Sequence, residues 1–402
     1  MMIPRLKPKL RIIAILGAVL RSRFRTDSLE RFERKFANLA SSKHAIAMPY
    51  GRTGLYALLK VLIDKEEGEV ICPAYTCVVV PHAIVTSGFS PVFVDSSKSA
   101  YNMDLDLVEN AITKNTVAVV LTSIFGKPLN LDKVNRMRER HKDIIFIQDC
   151  AHSFFCSWEG KLVHKTGDAA IYGLNISKIM TSIFGGVVTT DSDKIAHKLR
   201  AYQISDLDER NLKKDIYSFA YACAIYLSFN RWVYKIVNIL ENADLLNKFV
   251  KYFDESKIDM PDDYLVQMSP FQAEIGLSQC IEYENIVEHR RKVAAIYKSR
   301  LSKNNILRIL EENRGATYSH FPINTHLADE IIKQCAKEGY QLGELIDYHI
   351  PSMNAYREYK YYSIGVSEKY PGNMINLPVH SSTTVKDAIK LCDIIEKIIT
   401  EG

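Results

Sequence analysis

The chain has 402 residues, 47% of them hydrophobic and 25% charged, the composition of a folded protein long enough for two domains. Its net charge of +5 gathers at the front, where the first 25 residues include Arg5, Lys7, Lys9, Arg11, Arg21, Arg23 and Arg25 and no acidic residue. The rest is slightly acidic, which excludes a nucleic-acid-binding body, and 8 scattered cysteines without ligand spacing exclude a zinc knuckle or a disulfide framework and suit the cytoplasm.

In chain order, the basic head brackets an apolar run at 12–20. The run is too short to span a bilayer, and Arg21-Ser-Arg-Phe-Arg25 follows it where a signal peptide would have a small-residue cleavage site. It reads either as an ordinary element packed on the body or as a segment resting on an anionic membrane surface. Thr26-Asp-Ser-Leu-Glu30 then carries capping residues and opens a helix with Leu29, Phe32, Phe36 and Leu39 on its core face. Strands are predicted at 45–48, 69–72, 91–94, 117–121, 144–148, 169–174 and 186–190. Helices alternate with them, starting from the turns at 49–53 and 73–77 and covering 104–112 and 131–141. From about Asp206 the pattern changes, and an apolar insertion from 213 follows, with segments at 215–229, 232–240 and 245–253. Its alternatives are a buried helical hairpin or dimer contact, and a membrane-facing lid. Ser269-Pro-Phe-Gln-Ala starts a long helix to Leu301, followed by a strand-like stretch at 317–322, a helix at 327–338, loop and strand segments at 348–351 and 374–378, and a final helix at 385–399.

This order gives an α/β fold class: a large domain with a mostly parallel sheet covered by helices on both faces, plus a smaller α+β C-terminal domain. The expected boundaries are a basic and apolar segment at 1–25, the large domain at 26–212, the insertion at 213–260 and the small domain at 261–402. Ligands of such sheets collect at the carboxyl ends of the strands, where Gly51-Arg52-Thr53, Tyr75, Asp149 and Lys178 all fall. A carboxylate ending one apolar strand and a lysine just past the next suit pyridoxal 5′-phosphate (PLP). The lysine holds the aldehyde as a Schiff base, and the aspartate pairs with the protonated pyridine nitrogen. Gly51 to Gly54 begins a helix, whose N–H groups and dipole suit the phosphate. Thr53 adds a hydroxyl and Arg52 a charge-assisted contact.

These residues, taken together, resemble the DegT-type sugar nucleotide aminotransferases, PLP enzymes of fold type I. The marks come in the family's order: Gly51-Arg-Thr-Gly-Leu, Glu69-Val-Ile-Cys-Pro-Ala-Tyr-Thr, Pro91-Val-Phe-Val-Asp95, Ile147-Gln-Asp149-Cys-Ala-His152, Gly167-Asp168 leading to Lys178, Ser269-Pro-Phe-Gln-Ala-Glu-Ile-Gly276 and Asn376-Leu-Pro-Val-His380. The resemblance implies Lys178 as cofactor anchor and proton shuttle, Asp149 as pyridinium partner and His152 beside the ring hydroxyl. It also implies a homodimer, and ping-pong transfer from glutamate or glutamine to a keto-sugar, nucleotide- or lipid-linked, in polysaccharide synthesis. Neither a metal nor nucleic acid is expected. A PLP sugar dehydratase has a histidine in place of the lysine, and a non-catalytic, regulatory PLP binder is the other alternative.

The chain also departs from the family pattern. Gly173 replaces a phosphate-binding serine, for which Asn175 or Ser177 would substitute. Ile183-Phe-Gly-Gly186 replaces a glycine-rich run. Cys77 stands where an aromatic stacks on the ring, with Tyr75 as its candidate replacement. Leu265-Val-Gln267 replaces an Asn-x-Arg donated across the dimer, and no substrate-phosphate histidine is evident near Pro351-Ser-Met353. Peripheral membrane contact is expected through 1–25 or 213–255, at the inner membrane face.

Overall fold

The computed structural model describes residues 2–210, 212–230, 233–234, 237, 256–309 and 314–401. Most of the apolar segments expected at 232–240 and 245–253 lie outside them. The first half alternates α1 (Ile12–Phe24), α2 (Ser28–Leu39), β1 (His44–Met48), α3 (Gly51–Leu62), β2 (Glu69–Pro73), α4 (Val79–Thr86), β3 (Ser90–Val94), α5 (Leu105–Ala111), β4 (Thr116–Thr122), α6 (Leu131–Arg140) and β5 (Ile145–Asp149). A short hairpin of β6 (Ser157–Trp158) and β7 (Lys161–Leu162) precedes β8 (Ala169–Gly173), β9 (Gly186–Thr190), α7 (Asp193–Ser205) and α8 (Leu212–Ser228). The C-terminal part holds α9 (Pro270–Leu301), β10 (Arg308–Ile309), β11 (Phe321–Asn324), α10 (Ala328–Lys337), β12 (Gly343–Glu344), β13 (Tyr361–Tyr362), β14 (Met374–Leu377) and α11 (Val385–Glu401).

The main sheet runs β1-β9-β8-β5-β4-β2-β3-β13. From β8 to β13 every pairing is parallel, and β9 alone is reversed, pairing antiparallel with β1 and β8. The parallel strands are buried on both faces, which is why β4 reads as an unbroken apolar run. Val70 and Cys72 pack under α3 and α4, and Ile71 between them packs under α5 and α6. This is the two-sided cover that the alternating pattern predicts.

The long helix α9 ties the two parts together. A capping box between Ser269 and Gln272, with Pro270 in the first turn, fixes its start. Tyr283, Ile286 and Val287 pack on the α2 side of the large sheet; Val293, Ala294 and Tyr297 pack in the core of the antiparallel sheet β10-β11-β14-β12. The buried carboxylate of Glu274 on α9 takes Arg21 at 2.6 Å, Arg31 at 3.0 Å and the Ser28 hydroxyl at 2.9 Å, which pins α1 and α2 to it.

Two features differ from the sequence-based expectation, and a third narrows one that was left open. The stretch at 317–320 is irregular and the strand starts at Phe321, because Thr317 donates its N–H to Gly126 O and the carbonyls of Tyr318 and Ser319 accept from Arg290 instead of a neighbouring strand. The chain from 346 to 362 joins the large core through Ile350, Met353 and Tyr356 and adds β13 to the main sheet. The apolar α8 is neither buried nor membrane-spanning: Leu212, Ile216 and Leu227 are exposed, and no helix among the described residues is long and apolar enough to cross a bilayer.

Candidate active site

The predicted residues converge at the carboxyl ends of β2, β4, β5 and β8, above the first turn of α3. Asp149 ends β5, in register with Thr122 on β4, and is 5% exposed. Its Oδ1 accepts the Ala151 N–H at 3.0 Å. Burial raises its pKa; the Ala151 N–H, the charge of Lys178 and the Thr122 hydroxyl oppose that without cancelling it. A carboxylate held this way is suited to a cationic partner, and a pyridinium nitrogen is one.

Lys178 follows β8 on a tight turn. Its N–H bonds to Asn175 O at 3.1 Å, while Asn175 Oδ1 accepts from Ser177 N at 3.1 Å and from Ser177 Oγ at 2.6 Å. Asn175 and Ser177 therefore build the turn that aims the lysine. Lys178 Nζ lies 2.9 Å from His152 Nε2, and His152 Nδ1 faces the Phe125 N–H at 3.3 Å. A neutral imidazole accepts at one nitrogen only. The Phe125 N–H makes Nδ1 the accepting nitrogen. His152 stays neutral because burial, reinforced by charge at Lys178 and His320, holds its pKa well below the ordinary histidine value.

His320 is a residue that sequence reasoning missed. Its ring lies 4.9 Å from that of His152 and 5.7 Å from that of Phe125. Burial, then Lys178, lowers its pKa to about 3. Nδ1 contacts Ser319 Oγ at 3.2 Å, and Nε2 has no partner among the described residues. The strap before β11 delivers it: Thr317 donates its N–H to Gly126 O at 2.9 Å and its hydroxyl to His152 O at 3.3 Å. Arg290 donates to Tyr318 O at 3.1 Å and to Ser319 O at 2.9 Å. Phe125, Ile183 and Tyr318 all take left-handed backbone conformations here, and such strain gathers where a site dictates the chain path. The histidine sat inside a stretch that scans as a strand, so nothing local marked it.

The first turn of α3 has no side-chain cap. It is wedged between two strand ends: a Cβ on Gly51 would lie 2.8 Å from Gly173 Cα, and one on Gly186 would lie 2.4 Å from Gly51 N. A Cβ on Gly173 would instead sit at ordinary contact, 3.7 Å from both Lys178 Cε and Ala151 Cβ, so the cradle beside the lysine is open there. With an uncapped helix start for the phosphate, a buried carboxylate for the ring nitrogen and a reachable amine, the residues fit PLP. Arg52 has no partner among the described side chains. Its charge reaches His82, whose pKa burial and then Arg52 lower to about 4. Thr53 is fully buried and donates its hydroxyl to Tyr264 O at 2.8 Å, tying the turn to the segment before α9.

Tyr75 is 1% exposed and packs edge-on against Phe125 at 6.1 Å and Tyr370 at 4.8 Å. It supports the wall formed by Phe125, which lies nearly parallel to the His152 ring at 6.0 Å. Cys77 is half-buried nearby.

A shallow groove of 340 Å³ lies at the opposite end of the sheet, lined by His164, Lys165, Asp168 and Asp191. Its charges are already paired, Lys165 with Asp191 and Asp168 with Arg138. Among the described residues no cluster of three or more His, Cys, Asp or Glu is arranged for a metal ion.

Known proteins are similar to this chain in sequence and in fold. The chain is 22% identical over 387 residues to the GDP-perosamine synthase of Escherichia coli O157:H7, covering 93% of this chain and 90% of the relative. Among solved structures, Helicobacter pylori PseC, an aminotransferase involved in the biosynthesis of pseudoaminic acid, superimposes with a TM-score of 0.79 at 17% identity over 100% of both chains. An E. coli GDP-4-keto-6-deoxy-D-mannose-3-dehydratase with bound hydrated PLP gives 0.77 at 17% identity, over 98% of this chain and 99% of that one. The family model for DegT/DnrJ/EryC1/StrS aminotransferases matches residues 11–231 and 232–396, nearly the whole chain, and the protein belongs to that PLP-using family.

Proposed function

We propose that the protein transfers an amino group from glutamate or glutamine to a keto-sugar carried on a nucleotide or a lipid. The observation that carries this reading is the meeting of Asp149 and Lys178 at adjoining strand ends above the uncapped start of α3. When bound, PLP supplies an electron sink that stores the donor's amino group and passes it to a carbonyl acceptor. Asp149 would pair with the protonated ring nitrogen, and the N–H groups of Gly51, Arg52 and Thr53 would hold the phosphate, with the Arg52 guanidinium adding charge. Lys178 moves the proton at the reacting carbon, and His152 orients its Nζ. Asn175 and Ser177 hold the lysine's turn, and Tyr75 backs the Phe125 wall that would flank the ring.

The dehydratase reading is disfavoured because Lys178 is a lysine where that branch carries histidine. Supporting the transferase are relatives whose names place them in perosamine and spore-coat polysaccharide synthesis. The working unit is proposed to be a homodimer, with a peripheral contact at a membrane face.

The test is reduction of the PLP-loaded protein with borohydride, followed by peptide mass spectrometry. We expect the cofactor mass on the peptide bearing Lys178 and none in Lys178→Arg. Glutamate is expected to convert the bound cofactor to its pyridoxamine form in the unreduced protein. Loading without conversion would favour the regulatory alternative, and no loading at all would refute the site.

A further inference from the structure

The face formed by α1 and α8 is not used by the active site. The two helices pack on each other and on α9 through Ile15, Ala18, Ala222, Phe271 and Ile275. On the outward side α1 presents a stripe at Ile13 (80% exposed), Leu16 (52%), Leu20 (61%) and Phe24 (83%). These spacings of 3, 4 and 4 residues keep the four on one helical face. Helix α8 presents Ile216 (59% exposed), Tyr217 (59%) and Leu227 (60%), with the exposed Ala220 and Ala224 between them. Two adjacent helices showing water this much apolar surface make a patch, not scattered exposed residues.

Charge says what covers it. Arg23, Arg25 and Lys213 are exposed on these helices or beside them, and the first 25 residues contain no acid. An apolar face rimmed by arginine and lysine and carrying exposed Phe and Tyr matches the interface of an anionic bilayer, where rings and acyl-depth side chains sit below phosphate headgroups. A second copy of the chain would bring the same basic rim against itself, and like charges would oppose that contact.

We propose that the α1–α8 face docks the enzyme peripherally on an anionic bilayer. The docking helix also reaches the site. Tyr217 stacks on Phe184 at 5.9 Å, and Phe184 meets Tyr50, the residue before the phosphate turn, at 6.3 Å. Lys214, under α8, lies 5.4 Å from the Tyr50 ring and 3.0 Å from Asp263. The proposal thus rests on the aminotransfer reading for its use, an acceptor sugar on a lipid carrier, but not for its test.

The test is co-sedimentation of the full-length, PLP-loaded protein with phosphatidylcholine vesicles containing phosphatidylglycerol, beside vesicles of phosphatidylcholine alone. Binding is expected to the anionic vesicles and to fall at high salt. Arg23→Glu with Arg25→Glu is expected to weaken it roughly thirtyfold or more, and Leu20→Glu with Ile216→Glu to abolish it. Both pairs are exposed, so the absorbance of lysine-bound cofactor is expected to stay unchanged. Absence of binding to anionic vesicles, or unaltered binding by both variants, overturns the proposal and leaves aminotransfer standing. A shift of Leu20→Glu with Ile216→Glu from dimer to monomer in sedimentation velocity also overturns it, because the face is then a subunit contact.

Discussion

At the scale of single residues, the site is a set of buried groups with displaced pKa values around one amine. Burial drives this: it lowers the pKa of His152 and His320 and raises that of Asp149, so the pocket favours a bound group bringing its own charges. His320 packs on His152 with no hydrogen bond to Lys178, so it is expected to position the His152 ring. His320→Ala is expected to slow the glutamate half-reaction roughly tenfold by stopped-flow absorbance, because small displacements of a reacting group are costly. Cofactor loading is expected to stay near the wild-type level, and His320→Gln to recover part of the rate. A variant that instead lost the cofactor altogether would show that the histidine is needed to build the pocket.

At the scale of elements, what decides the phosphate end is how closely α3 approaches β8 and β9. The family's glycine run is only partly kept, yet Gly186 survives where a Cβ would meet the Tyr50–Gly51 peptide. Backbone on both sides leaves no flexible atom to yield. Gly186→Ala is therefore expected to shift the α3 start and weaken PLP binding at least about tenfold in a titration of the apoprotein. Unchanged affinity would mean that the turn relaxes without consequence. Gly173 is different: its surroundings have room for a side chain, so its glycine is not demanded by the backbone. Sequence comparison by eye gives these two glycines equal weight, and only their neighbours separate them.

At the scale of the whole molecule, the two domains are interlocked. The chain returns from the small domain to lay β13 beside β3, and Asp95 at the end of β3 receives it. Its carboxylate accepts the N–H groups of Ile364 at 2.9 Å, Val366 at 3.0 Å and Ser367 at 2.8 Å, and the Ser367 hydroxyl as well. Burial pushes its pKa up, but these donors outweigh burial and the net shift is down from 3.8. A depressed folded pKa means the contribution is present in full above the unfolded value and fades as pH falls through the folded one. Thermal melts are expected to show Asp95→Asn destabilised by about 2–3 kcal/mol at pH 7, with the gap to wild type closing below about pH 4. A gap independent of pH would assign the loss to packing.

The sequence by itself determined the class of fold, since the alternation of short apolar runs with amphipathic segments is a local pattern and strands buried on both faces must be apolar. It also marked the candidate site, since Asp149 ends one strand and Lys178 follows another, and such positions can be found by counting along the chain. The sequence marked the apolar insertion but left open whether its surface was core or exposed. Tertiary structure decided that for α8, because burial depends on what packs opposite. It likewise decided which chain segments complete the site. His320, Thr317 and the Asp95 clamp come from positions more than 150 residues away from their partners in sequence. No local period or spacing encodes such contacts; they arise when α9 folds the small domain back over the carboxyl edge of the sheet.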